Sequence, residues 1–126
     1  AIPVSSTPAK DAIAYEAAIK KITSDSKFAF DLVLLGMGAD GHTASLFPGT
    51  EILNEKRRLL KEVFLKDKNM YRISFTLPLI NRAKQILLLG SGEEKKPVLK
   101  KVAANQKTGT LLPVQLLKGD ITWMVC

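Results

Sequence analysis

Phe30–Gly49, FDLVLLGMGADGHTASLFPG, is the stretch from which the fold is read. Phe30 to Gly36 is a short, almost wholly apolar run closed by glycine, the texture of a strand buried on both faces in a parallel sheet. Gly36, Gly38 and Gly41 then follow in the GxGxxG spacing of dinucleotide-binding folds. By itself that spacing is a weak signal. A dinucleotide site needs a full-length helix after the third glycine and an acidic residue about 20 positions on. Here Pro48 and Gly49 leave ASLF room for about one or two helical turns, and the downstream stretch reads EKRRLLKE. A nicotinamide or flavin site is discounted. The remaining geometry, a strand ending in a glycine turn, presents N–H groups that suit an anionic oxygen.

Towards the N-terminus, Ala12, Tyr15, Ile19 and Ile22 recur at helical spacing after Thr7 and Pro8, which predicts an amphipathic helix ending near Thr23. Lys10, Glu16, Lys20 and Lys21 are assigned to its wet side. Further strands are predicted at Leu60–Leu65, Tyr71–Thr76 and Gln85–Leu89, with a short helical segment over Pro78–Ala83. Glu93 to Ala104 has acidic residues first and lysines later, the charge order that suits a helix dipole. Gln106–Gly109 reads as a polar loop, Pro113–Leu117 as a helical turn and Ile121–Val125 as a closing strand. Strands alternating with helices argue an α/β layered fold, in one domain spanning residues 1–126.

Composition narrows the function classes. The chain has 126 residues, 46% hydrophobic and 25% charged, and so is neither disordered nor membrane-spanning. One cysteine, Cys126, and one histidine, His42, cannot make a disulfide framework or a thiolate or polyhistidine metal cage. The first residues show no export or organelle signal, so a cytoplasmic protein is expected. A formal charge of +7 favours anionic ligands of any kind. Only 6% of residues are aromatic, and no basic stretch is interleaved with stacking side chains, which counts against nucleic acid.

His42 follows Asp40 on the glycine turn. Imidazole suits general-base work near neutral pH, and a carboxylate can orient it. The competing reading makes Asp40 a turn residue and His42 a structural helix-start residue. Lys95, early in the helix after GSGE, reads equally as a phosphate ligand or as a solvated helix lysine. Lys56, Arg57, Arg58 and Lys61 read as a solvated face.

FDLVLLGMGADGHTASLFPGT resembles the signature of the 6-phosphogluconolactonases, which share a sugar-phosphate superfamily with the glucosamine-6-phosphate deaminases. RISFTLPLINRAKQILLLGSGEEKKPVL, LPVQLL and TWMVC continue the resemblance over nearly the whole chain. The ASLFPG ending is similar to the lactonase branch. The resemblance implies a Rossmann-like fold with a layered, mainly parallel sheet and flanking helices. It also implies hydrolysis of 6-phospho-D-glucono-1,5-lactone to 6-phosphogluconate in the oxidative pentose phosphate pathway, without metal or organic cofactor. His42 is then the base that activates water, and Asp40 orients it. Gly38 and Gly41 belong to the turn that offers N–H donors to the oxyanion. Lys95 binds the substrate phosphate, and Arg72 matches the family's substrate-side arginine, with a surface arginine on an edge strand as the competing reading.

Members of that family ordinarily carry a further upstream stretch of comparable length, with a serine-glycine-rich phosphate loop and an aspartate-glutamate-arginine strand motif. The present sequence resembles the C-terminal portion, so the sheet is expected to lack its N-terminal strands. Self-association, or pairing with an N-terminal half, is expected in consequence. Two other function classes stay open, a glucosamine-6-phosphate deaminase or isomerase and a non-catalytic sugar-phosphate-binding fragment.

Overall fold

The computed structural model describes Ser5, residues 7–105 and residues 109–126. Gln106 to Thr108, most of the expected polar loop, lie outside the described residues. Helix α1 spans Pro8–Thr23, with proline in its first turn where a missing N–H costs nothing. Strands β1 (Leu32–Gly36), β4 (Gln85–Gly90) and β5 (Ile121–Val125) form a parallel sheet in the order β1-β4-β5, with Val33 opposite Ile86 and Leu88 opposite Trp123. Strands β2 (Leu60–Leu65) and β3 (Met70–Phe75) make a separate antiparallel pair. Short helices α2 (Leu77–Ile80) and α3 (Lys96–Ala103) complete the α/β architecture. Among the described residues no helix is long and apolar enough to cross a membrane.

The parallel sheet is covered on one face. Val33, Leu35, Ile86 and Leu88 are buried with Leu46, Ile80, Val98 and Val114 in the main core. The alternate side chains of the same strands are not, and Leu32 and Leu34 are 52% and 60% exposed. Leu89 and Met124 continue this bare strip. The apolar run of β1 therefore does not lie buried on both faces as its composition predicts. Successive side chains point to opposite faces, and helix α1, which would be needed outside, packs instead on β2 and β3 through Ile19, Leu59, Leu60 and Tyr15.

Three local expectations are also corrected. ASLF is not helical: Ala44 has φ 50°, and Thr43 pairs with Leu46 in an isolated bridge. The helix expected from Glu93 opens as a 3₁₀ turn over Glu93–Lys95 and becomes α-helical only at Lys96. Glu16 is buried, whereas Ile22, assigned to the apolar face, is 76% exposed.

In the basic stretch at the start of β2, Lys56 and Arg57 are exposed, as expected of a solvated face, while Arg58 and Lys61 are half-buried. The Glu55 carboxylate accepts the backbone N–H groups of Lys56, Arg57 and Arg58 at 2.9, 2.8 and 3.0 Å, and Lys61 lies 3.5 Å away. Above all the Arg58 and Arg57 N–H groups hold this carboxyl down from its ordinary 4.5 to about 2. Because the folded value is depressed, the stabilisation is complete above pH 4.5 and is lost as the pH falls from 4.5 towards 2. Glu55→Gln is expected to lower stability at neutral pH by about 1–2 kcal/mol, the lower part of the scale of hydrogen bonds to a charged group because the amide oxygen still accepts. It should also flatten the acid limb of the stability curve, as measured by urea melts at successive pH values.

Candidate active site

Because β1 and β4 are parallel neighbours, the segments after Gly36 and Gly90 leave the sheet side by side at its carboxyl edge, where open α/β sheets bind ligands. The two segments touch: a Cβ at Gly90 would lie 3.5 Å from the Met37 side chain.

The turn after β1 is held almost entirely by its own groups. Gly38 N–H donates to the His42 carbonyl at 2.9 Å, and Gly41 N–H donates to the Gly38 carbonyl at 3.0 Å. Thr43, buried, donates its hydroxyl to the Gly36 carbonyl at 2.8 Å. Glycine is required twice. A Cβ at Gly38 would run into the His42 imidazole, and Gly41 has φ 81° with Leu112 packed against it. The expected oxyanion donors at Gly38 and Gly41 are thus engaged inside the turn, and both residues act by giving it its shape. Neighbouring Ala39 makes no backbone hydrogen bond through its N–H among the described residues.

This turn places Asp40 and His42 together. Asp40 Oδ1 accepts the His42 backbone N–H at 3.0 Å and lies 2.5 Å from Nδ1 of the imidazole. Partial burial would push the Asp40 carboxyl up, but the backbone and ring N–H groups of His42 outweigh it and hold it below its ordinary 3.8. Asp40 is therefore ionised at neutral pH. An ionised carboxylate only accepts, so Nδ1 carries the proton and the lone pair of the neutral ring is at Nε2. The imidazole is about one-third exposed, and its face stacks on Phe47 at a centroid distance of 4.2 Å.

Lys95 sits in the 3₁₀ turn after β4. Its neighbour Lys96 pairs with Glu93 at 2.5 Å, whereas Lys95 makes no ion pair among the described residues. Arg72 is exposed on β3 opposite Val63 and likewise unpaired there. Two positions along the same strand face, Ser74 Oγ accepts the Ser45 N–H at 3.1 Å, tying β3 to the histidine turn. The structure thus brings Asp40 and His42 into contact, and it carries Lys95 and Arg72 on the two segments joined to their turn. Beside Asp40 opens a cavity of about 780 Å³ whose lining also includes Phe47, Lys61, Phe64, Lys66 and Tyr71, but not His42, Arg72 or Lys95. Neither Lys61 nor Phe47 is marked as a site residue by the sequence alone. The signal for Phe47 was its place five residues after His42, but only the turn's path shows that the rings meet.

The family model described as glucosamine-6-phosphate isomerases/6-phosphogluconolactonase matches residues 1–124. The chain belongs to this family. Among its relatives, a 6-phosphogluconolactonase of Synechocystis is 38% identical over 94% of this chain and 50% of its own length. One from Nostoc is 37% identical over 99% of this chain and 54% of its own length. The solved structure of 6-phosphogluconolactonase from Trypanosoma cruzi superposes with a TM-score of 0.79 at 32% identity, covering 94% of this chain and 49% of that one. The chain spans about half the length of these lactonase relatives.

Proposed function

We propose that the protein to which this chain belongs hydrolyses 6-phospho-D-glucono-1,5-lactone to 6-phosphogluconate, in the cytoplasm. The observation that carries this reading is the Asp40–His42 pair at the carboxyl edge of the sheet, with Nδ1 committed to Asp40 and no partner for Nε2 among the described residues. Nε2 takes a proton from water as the water oxygen attacks the lactone carbonyl. The imidazolium, balanced by Asp40, returns the proton to the ring oxygen as the C–O bond breaks, and no side-chain nucleophile is needed. The Ala39 N–H, which makes no backbone hydrogen bond among the described residues, is a donor for the developing oxyanion.

Lys95 and Arg72, cations without ion-pair partners among the described residues, suit the substrate phosphate. Lys95→Ala is expected to weaken 6-phosphogluconate binding by about 1.5–3 kcal/mol, the scale of a charged hydrogen bond. It should affect gluconate much less, and Arg72→Ala should act in the same direction. Equal calorimetric losses for the two ligands would remove the phosphate role.

The bare face of the parallel sheet, with Leu32, Leu34, Leu89 and Met124, supports a second element of the reading. In the complete protein we assign its cover to the polypeptide that makes up the other half of the relatives' length, and the isolated chain is expected to self-associate through it. Acid release from the lactone, followed with the chain alone and with that half added, tests the function. Recovery of turnover on addition supports it. Ammonia release from glucosamine 6-phosphate in place of lactone hydrolysis would move the protein to the deaminase branch, and binding without turnover in either assay would make it a sugar-phosphate-binding module.

A further inference from the structure

The geometry points to Phe47 as the positioning residue that sets the ring plane of His42. The inference rests on the reading of His42 as the proton carrier. A base delivers its lone pair along one direction, so the plane of its ring matters as much as its place. Asp40 fixes one vertex of the imidazole, at Nδ1. A single hydrogen bond still lets the ring rock about that contact. Two further surfaces limit the motion. On the Gly38 side the imidazole lies so close to the backbone that a Cβ there would collide with Nδ1 and Cε1. The Phe47 ring lies against the imidazole face at 4.2 Å with an interplanar angle of 24°.

Phe47 is itself held in place. Leu46, the residue before it, is fully buried and donates its N–H to the Thr43 carbonyl at 2.9 Å. The Phe47 carbonyl accepts the Thr50 hydroxyl at 2.7 Å. Its side chain packs on the main core, lines the 780 Å³ cavity and stacks on the imidazole, so it has contacts besides His42 that hold it in place.

His42 is the only histidine, so labelled histidine yields a single imidazole signal set in NMR spectra. In the unsubstituted chain at a pH where the ring is neutral, the nitrogen shifts should report the Nδ1–H form, and the ring protons should carry the ring-current displacement of a stacked aromatic. Phe47→Tyr is expected to keep both. Phe47→Leu should abolish the displacement and lower the ratio of Nδ1–H to Nε2–H forms by up to about tenfold, the upper range for an aromatic pair. A Phe47→Leu protein with an otherwise unchanged amide spectrum and an unaltered form ratio would overturn the inference. Should that variant unfold, the unsubstituted chain still decides: mixed forms or undisplaced ring protons would overturn the assignment, and the Nδ1–H form with displaced protons, retained in Phe47→Tyr, would uphold it. None of these readouts involves substrate, so they stand or fall separately from lactone hydrolysis.

Discussion

His42→Ala is expected to reduce lactone hydrolysis by about 10²- to 10⁴-fold, the usual contribution of a positioned general base. The measurement belongs on the full polypeptide, with the spontaneous hydrolysis of the lactone subtracted. The effect should appear in kcat with binding of 6-phosphogluconate little changed, because in this reading the imidazole handles the water and ring-oxygen protons while Lys95 and Arg72 hold the phosphate. Folding should survive, since the turn is anchored by the Gly38, Gly41 and Thr43 hydrogen bonds and not by the imidazole itself. A folded variant with near-normal turnover would take His42 out of the mechanism.

Glu16→Ala should cause the largest loss of stability, about 2–4 kcal/mol, as expected when a buried carboxylate is removed and the Leu59 N–H and the partly exposed Arg58 lose their acceptor. Glu16 is 7% exposed, accepts the Leu59 N–H at 2.5 Å, and meets Arg58 Nε at 3.2 Å and Lys20 at 3.6 Å. It fastens α1 to the start of β2, where Thr76 also bonds the Arg58 carbonyl at 2.6 Å. Burial pushes the Glu16 carboxyl up, but the Leu59 N–H, Arg58 and Lys20 together bring it below its ordinary 4.5. Its contribution is therefore present above pH 4.5 and fades as acid is added. Glu16→Gln keeps an acceptor for Leu59 and should lose less. Urea titrations of both variants at neutral pH provide the comparison, and equal stability of Glu16→Ala and the unsubstituted chain would show that the network contributes nothing net.

The order of elements and the turn that pairs Asp40 with His42 are legible in the sequence because they depend on local and periodic features. Apolar runs closed by glycine became β1 and β4, the helical spacing after Thr7-Pro8 became α1, and Asp40 and His42 are two residues apart, so any tight turn brings them together. Contacts between residues distant along the chain, and the choice of which faces are covered, depend instead on how the elements pack. Composition cannot tell a strand covered on one face from a strand covered on both, because Leu32 and Leu34 are as apolar as Val33 and Leu35, and exposure depends on what packs above them. Glu16 reads as a surface residue until Leu59, more than forty positions on, brings an N–H to its carboxylate. The glycines of the turn read as donors to a ligand, but the folded turn uses the Gly38 and Gly41 N–H groups itself, because a backbone that bends this tightly brings its own carbonyls within reach.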